Sequence, residues 1–455
     1  MTVLDVNSGD TAWILTSAAL VLLMTPGLAL FYGGMVRAKT VLNMMMMSFG
    51  ALCLISVTWV LYGYSIAFGN DVGGGLIGNP FEYLGLHGLM ADTGASLPSM
   101  AFVGFQAVFA IITVALISGA IADRAKFGSW MIFALIWSTI VYFPVAHWVF
   151  AFDSDDGSVV GGWIANRLHA IDFAGGTAVH INAGAAGLAL ALVLGKRVGW
   201  KRDPMRPHNL PLVMIGAGLL WFGWFGFNAG SELAADNSAA IVFVNTLTAT
   251  GAAALGWLLV ERIRDQHATS LGAASGVVAG LVAITPSCSS VSPVGAILLG
   301  AIAGVLCALA VGLKYKLGFD DSLDVVGVHL VGGLWGTIAV GLFATAGAPA
   351  GVSGLFYGGG VDQLLRQVVG AVSVLIYSFV LSYAIGSILN KTIGLRISTD
   401  DERTGIDETE HAESAYDLAN LSGGVRAFST GPHLPTERST TTAKPATSED
   451  QEVSA

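Results

Sequence analysis

Long apolar stretches separated by short polar breaks dominate the chain. Eleven such runs fall at 13–32, 41–68, 100–122, 130–152, 173–194, 212–229, 239–260, 271–285, 294–313, 325–346 and 364–389. A helix needs about 20 apolar residues to cross the hydrocarbon of a bilayer. Most of the runs meet or approach that length; the eighth is short and glycine-rich. The pattern predicts an all-α integral membrane protein of eleven transmembrane helices.

The breaks between the runs differ in charge. Those after the odd-numbered runs hold 13 of the 21 Lys and Arg residues, among them Arg37, Arg124 and Arg197. The opposite breaks hold only Arg167 and Arg366. Basic loops stay in the cytoplasm, so the N-terminus is expected outside. An odd number of spans then leaves the C-terminus inside, where Lys391 and Arg396 follow the last run.

Composition agrees with this class. Hydrophobic residues make up 54% of the 455 and charged ones 11%, against about 25% charged in a soluble domain. The 59 glycines suit helices that approach closely, since packing drives their association in lipid. The net charge of −10 is uneven: residues 400–455 carry 12 acidic and 4 basic groups, so −8 of it belongs to the tail. No nucleic-acid role follows from it. Asp5 and Asp10 precede the first run, which does not fit the basic start of a cleaved signal peptide. The three cysteines fit no metal or disulfide spacing and read as structural. The expected organisation is a transmembrane domain at 1–395, a cytoplasmic segment at 396–421 and an acidic Ser/Thr-rich tail at 422–455. The tail has too little apolar content to fold alone.

Two distant segments resemble each other. Val179-His180 and Val328-His329 are each followed by a branched aliphatic residue and by glycines four and seven positions after the histidine. Five spans separate them, so the halves would be inverted, and inverted repeats place sites near the membrane midplane. A membrane histidine is a functional candidate, and two at matching positions strengthen it. Neutral imidazoles can pass a proton between them or alternate as donor and acceptor. His147 reads as structural. Asp172 and Asp324 precede the two histidines; each reads as a helix cap in preference to a direct cation ligand.

Aromatic residues surround this pattern. Phe105 and Phe109 lie one turn apart in the third run, and Trp148 and Phe150 end the fourth. The sixth carries Trp224, Phe227, Asn228 and Ser231 among glycines. A ring attracts a cation by roughly 0.5–2 kcal/mol, against an idealised cost on the order of 20 kcal/mol for taking an ion into a dry medium. Rings can therefore gather a small cation but cannot carry it across. A cation that can lose a proton escapes this limit: ammonium can, potassium cannot.

These segments resemble the ammonium transporter (Amt) family, relatives of the Rhesus proteins, in its bacterial form. The marks, in order, are Pro26–Gly34, Asp172–Asn182 with its Val-His, Pro207–Pro211, Gly223–Ser231 and Asp324–His329. The resemblance implies a plasma-membrane transporter, not an enzyme, without cofactor or metal, working as a homotrimer with one pore per subunit. It makes Phe109 and Phe227 the stacked rings of the pore entrance, with Phe105 and Trp148 nearby. Ser231 becomes the hydroxyl that accepts a bond from ammonium, His180 and His329 the twin pore histidines, and Trp224 a lining residue. Asp172, Asp324, Thr285 and Asn228 become structural support. Phe150 departs from the pattern, which often has tryptophan there. The segment from Gly394 to Asp407 resembles a regulatory region that docks a PII-type nitrogen signalling protein. Other readings are a transporter of another small amine, an ammonium sensor, or an intramembrane metalloenzyme. The last is weakest, because two histidines without a third ligand make a poor zinc site.

Overall fold

The computed structural model describes residues 6–91 and 95–416. Among these there are helices and loops but no strands, only two isolated bridges. Ten helices are long and apolar enough to span a membrane: α1 (Ser8–Met35), α2 (Val41–Phe68), α3 (Ser99–Ile121), α4 (Phe127–Phe150), α5 (Gly176–Leu194), α6 (Leu210–Glu232), α7 (Asn237–Arg264), α9 (Pro293–Leu317), α10 (Val326–Phe343) and α11 (Asp362–Thr392). Between α7 and α9 lies the shorter apolar helix α8 (Ser270–Ile284). Its 15 residues rise about 23 Å at 1.5 Å each, less than the roughly 30 Å of bilayer hydrocarbon. A buried turn from Thr285 to Ser290 extends it. The short eighth apolar run is thus a short helix continued by a turn, which runs from the end of the bundle where Leu271 lies to the end where Ser289 lies. The whole is a multi-pass membrane protein.

The two repeat segments meet face to face. A side chain added at Gly184 would place its Cβ 2.5 Å from the backbone nitrogen of Leu330, the residue after His329. One added at Gly333 would lie 3.1 Å from the His180 Cβ and 3.2 Å from Ile181. Each glycine, four residues after one histidine, is therefore pressed against the neighbourhood of the other. Side chains would hold α5 and α10 apart; their absence brings the two histidines together.

Both helices begin with a π-helical turn that contains the histidine, at Gly176–Ile181 and Val326–Leu330. A carboxylate caps each. Asp172 accepts from the backbone amides of Gly175 (2.8 Å), Gly176 (2.6 Å), Thr177 (2.7 Å) and Ala178 (3.2 Å), and from the Thr177 hydroxyl. The second cap is Asp321, which accepts from Val325 (3.1 Å) and Val326 (2.7 Å). Asp324, the residue expected in that role, instead pairs with Lys314 Nζ at 2.6 Å. Its backbone is left-handed (φ 64°), and the helix turns away from its carboxylate. Asp321 stands eight residues before His329, as Asp172 stands eight before His180, so the cap obeys the repeat.

At the opposite end from Asp172, buried ions tie the loops together. Asp123 takes Arg197 at 3.0 Å, Arg37 at 3.4 Å and the Thr40 hydroxyl. Burial pushes its carboxyl up, but the two guanidiniums outweigh burial and hold it below the usual carboxylate range. Arg197 also binds Asp320 at 2.9 Å.

On the same end the chain after α11 folds back through α12 (Thr399–Thr404) and α13 (Ile406–His411). Neither Thr40 nor Lys126 caps the helix it precedes. Asp407 does so for α2, accepting from Leu42 (3.0 Å) and Asn43 (2.8 Å). Glu410 accepts from Phe127 at the start of α4 (3.0 Å), and Glu402 pairs with Arg396 (2.8 Å) and accepts from Val198 (2.6 Å). Negative charge at a helix N-terminus is stabilising. The expected segment 396–421 is therefore docked on its own chain as far as His411; the tail at 422–455 lies outside the described residues.

Two stability outcomes follow. Asp407→Ala should lower the stability of the detergent-solubilised protein by about 1 kcal/mol, the typical value of a helix cap. Asp321→Ala should do the same or more, since its amides are buried. Thermal unfolding followed by circular dichroism checks both. A melting temperature equal to the parent's in either variant would mean that its carboxylate does not hold the helix start.

Candidate functional site

A cavity of about 860 Å³ opens at the end of the bundle where α3 starts and α6 ends. Phe105, Phe109, Phe150, Ser231, Asp172 and Glu232 are among its lining. Phe105 and Phe109 lie one turn apart on α3, with ring centroids 4.9 Å apart at 61°. Phe109 meets Phe227 of α6 at 4.2 Å and 33°. Both rings are fully buried, and together they close the floor of the cavity.

Below that floor runs an aromatic stack. Trp224 lies 5.2 Å from Phe227, and His180 lies parallel to Trp224 at 5.4 Å and 21°. His329 continues the stack at 5.4 Å and 25°, with its Nδ1 3.3 Å from the Nδ1 of His180. One of these nitrogens donates and the other accepts, so the two rings share one hydrogen. His180 Nε2 is buried and has no hydrogen-bond partner among the described residues. Both rings border a void of about 10 Å³ whose other walls are apolar or aromatic, including Phe31, Leu116, Leu220 and Val278. That is about the least volume that holds one water-sized molecule.

Neighbouring side chains fix these positions. The Trp224 indole donates to Thr285 Oγ1 (2.8 Å), which itself donates to the Leu281 carbonyl (2.7 Å). The turn after α8 therefore sets the plane of Trp224 and, by stacking, that of His180. Asn228 donates to Thr246 Oγ1 (3.0 Å), joining α6 to α7. Ser231 donates its hydrogen to the Phe227 carbonyl (2.8 Å). Its oxygen lone pairs remain available to the cavity, so Ser231 can accept from a ligand N–H.

The cavity gathers Phe105, Phe109, Phe150 and Ser231 but not Trp148. Phe150 stands edge-on to Phe109 at 6.5 Å and 76°. Two residues along a helix are about 200° apart in rotation, so Trp148 faces the other way. Its indole donates to the Leu76 carbonyl (2.8 Å), and its ring packs on Tyr377 (4.6 Å) and Trp163 (5.8 Å). His147 is held by the Ala67 carbonyl (3.0 Å) and sits 3.5 Å from Asp71, away from the other histidines. Asp172 borders the cavity with its carboxylate occupied by the start of α5, which is a capping geometry. Asp324 borders a second cavity, of about 510 Å³, at the opposite end. Gln106, Glu232 and Phe31 also line these spaces. Each adjoins a residue or motif that the sequence marks, but its own type carries no distinctive signal.

Comparison with known proteins bears on this site. The family model described as Ammonium Transporter Family matches residues 12–416. An ammonium transporter of Mycobacterium tuberculosis (strain ATCC 25618 / H37Rv) is 64% identical over 442 residues, covering 92% of each chain. Among solved structures, one described as a sensor Amt protein superposes with a TM-score of 0.81 at 29% identity, over 89% of this chain and 98% of its own. Saccharomyces cerevisiae Mep2 superposes at 0.77 with 33% identity, over 87% and 88%. Clustered rings, paired histidines and sequence likeness run over the same residues: the chain belongs to the ammonium transporter family.

Proposed function

We propose that the protein carries ammonium nitrogen across the cell membrane by binding ammonium in the cavity, removing its proton and passing ammonia along the histidine void. The observation that carries this reading is the void itself. It is about the size of one water, too small for an ion with its hydration shell. Its walls offer nothing to replace that shell except histidine nitrogens. Phe109 and Phe150 attract the cation through their ring faces, and Ser231 Oγ accepts one of its hydrogens. Entry past the Phe109–Phe227 pair then requires the proton to leave. The unpartnered His180 Nε2 is positioned to hydrogen-bond a neutral guest, and His329 extends the path.

The family likeness supports a homotrimer with a pore in each subunit, and the basic loops support an external N-terminus. The docked segment from Arg396 onward supports regulation from the cytoplasmic face, with a PII-type nitrogen signalling protein as the partner. A sensor role is the second reading, favoured by the neighbour described as a sensor Amt protein.

The histidine pair is the direct test. His180→Ala and His329→Ala should each lower ammonium uptake in proteoliposomes by on the order of ten-fold, about 1.4 kcal/mol, or admit potassium, while the oligomer stays intact. Normal uptake with potassium still excluded, in both variants, would sink the deprotonation pathway.

Phe150 gives a finer outcome. Tryptophan strengthens a cation–π contact, here by about 0.5–1 kcal/mol, a few-fold in affinity. Phe150→Trp should lower the half-saturating ammonium concentration by that factor, and Phe150→Leu should raise it. Ser231→Ala should raise it further by removing an acceptor from a partly dehydrated cation. Initial uptake against concentration, at fixed pH and membrane potential, measures all three. Identical curves for both Phe150 variants and the parent would remove that ring from the binding site.

A further inference from the structure

The two ends of the bundle differ in charge. The sequence places twelve Asp and Glu residues in the segments on the side of the large cavity, against two basic ones, Arg167 and Arg366. Such asymmetry sets up a field, and a cleft with low-dielectric walls focuses it. Most of these acids sit in loops, where solvent screens them. Two line the cavity, Asp172 and Glu232.

Their situations differ. Asp172 is saturated by four backbone amides and the Thr177 hydroxyl, so its charge is spent on the start of α5. Glu232 directly follows Ser231 and closes α6 in a single 3₁₀ turn, after which Leu233 reverses the chain with a left-handed backbone (φ 62°). It is half-buried. Its side-chain hydrogen bond comes from a hydroxyl, Ser238, and among the described residues no lysine or arginine pairs with it. The other charge on the cavity wall is Arg366, of opposite sign. His169 also lines the cavity, and Asp236 lies close enough to add repulsion to Glu232.

We propose that Glu232 concentrates ammonium in the cavity by charge, a recruitment step that precedes contact with Phe109, Phe150 and Ser231, and that Arg366 opposes it. This inference rests on the ammonium-transport reading above. It assigns the carboxylate to affinity and not to turnover: it gathers the cation, whereas the proton is lost deeper, at the rings and histidines. A unit charge in the same cavity attracts a cation weakly in water and several times more strongly near a protein wall. The expected effect on half-saturation is therefore about two- to five-fold. Salt weakens it, because the screening length falls from about 30 Å at 0.01 M to about 8 Å at 0.15 M.

The test is ammonium uptake into proteoliposomes by the full-length protein, at two concentrations of an impermeant organic salt. Glu232→Gln should raise KM about two- to five-fold at low salt with the maximal rate kept, and the difference should shrink at high salt. Glu232→Asp should stay near the parent, and Arg366→Gln should shift KM the other way at low salt. A KM shift equal at both salt concentrations, or none, overturns the proposal, as does a fall in maximal rate alone. Should Glu232→Gln not assemble, Arg366→Gln decides: an unchanged KM at low salt overturns it. The parent protein is the control that separates the two claims. Without saturable ammonium uptake by the parent the transport reading fails; with it, and with unaltered variants, only the role of Glu232 fails.

Discussion

The cost of taking charge out of water governs the design of the interior. An ion entering a dry medium loses on the order of 20 kcal/mol of solvation in the idealised limit; a single ring returns roughly 0.5–2. No arrangement of the aromatic residues at the cavity floor closes that gap. The interior resolves it by offering two unlike environments in series. Above Phe109 and Phe227 the cavity is wide, and on the proposed reading a cation stays largely hydrated there while rings and a hydroxyl act on it. Below them the space narrows to about 10 Å³ and is walled by carbon and imidazole. Such a space suits a small neutral molecule, and on the proposed reading the fold's task is to hold it open and in register.

That task falls on few contacts. Gly184 and Gly333 let α5 and α10 approach until each meets the backbone or Cβ of the other's histidine turn. Asp172 and Asp321 start the two helices, and Thr285 fixes Trp224, against which His180 stacks. None of these groups touches the void through its own polar atoms, yet each sets the place of a ring that does. Outside the core, Asp407 and Glu410 begin α2 and α4 from a distant segment. Two spans are therefore completed by residues that follow the last helix, so any partner that lifts this segment also uncaps them.

Most of this was legible in the sequence, and the exceptions have physical causes. Apolar runs placed the helices, because lipid leaves the backbone no partner but itself. The repeated Val-His with its two glycines placed the core of the site, since only close approach of two helices requires that spacing. Asp324 misled because it is nearer to His329 than Asp321 is; keeping the eight-residue offset of Asp172 and His180 would have chosen correctly. Trp148 lies close to Phe150 in sequence, whereas helical rotation sends them to opposite sides. The caps at Asp407 and Glu410 were invisible, for their partners lie hundreds of residues away and an acidic tail segment reads the same whether docked or solvated.

The unpaired nitrogen of His180 makes the last connection between fold and function. A buried polar group without a partner costs about 1–3 kcal/mol, and a protein free to relax would turn the ring toward a carbonyl. Here it cannot. The ring is stacked on Trp224 on one side and bonded to His329 through Nδ1 on the other. Its helix is pinned by the Asp172 cap, and Gly333 lets the facing helix close on its Cβ. The π-helical turn that carries it is the widened geometry that recurs at functional positions in helices. Rigid packing thus keeps an unsatisfied nitrogen facing a space the size of one small molecule. Such a nitrogen favours a guest able to hydrogen-bond over an empty or hydrocarbon-filled void, and the apolar walls favour a guest without charge. Ammonia meets both conditions.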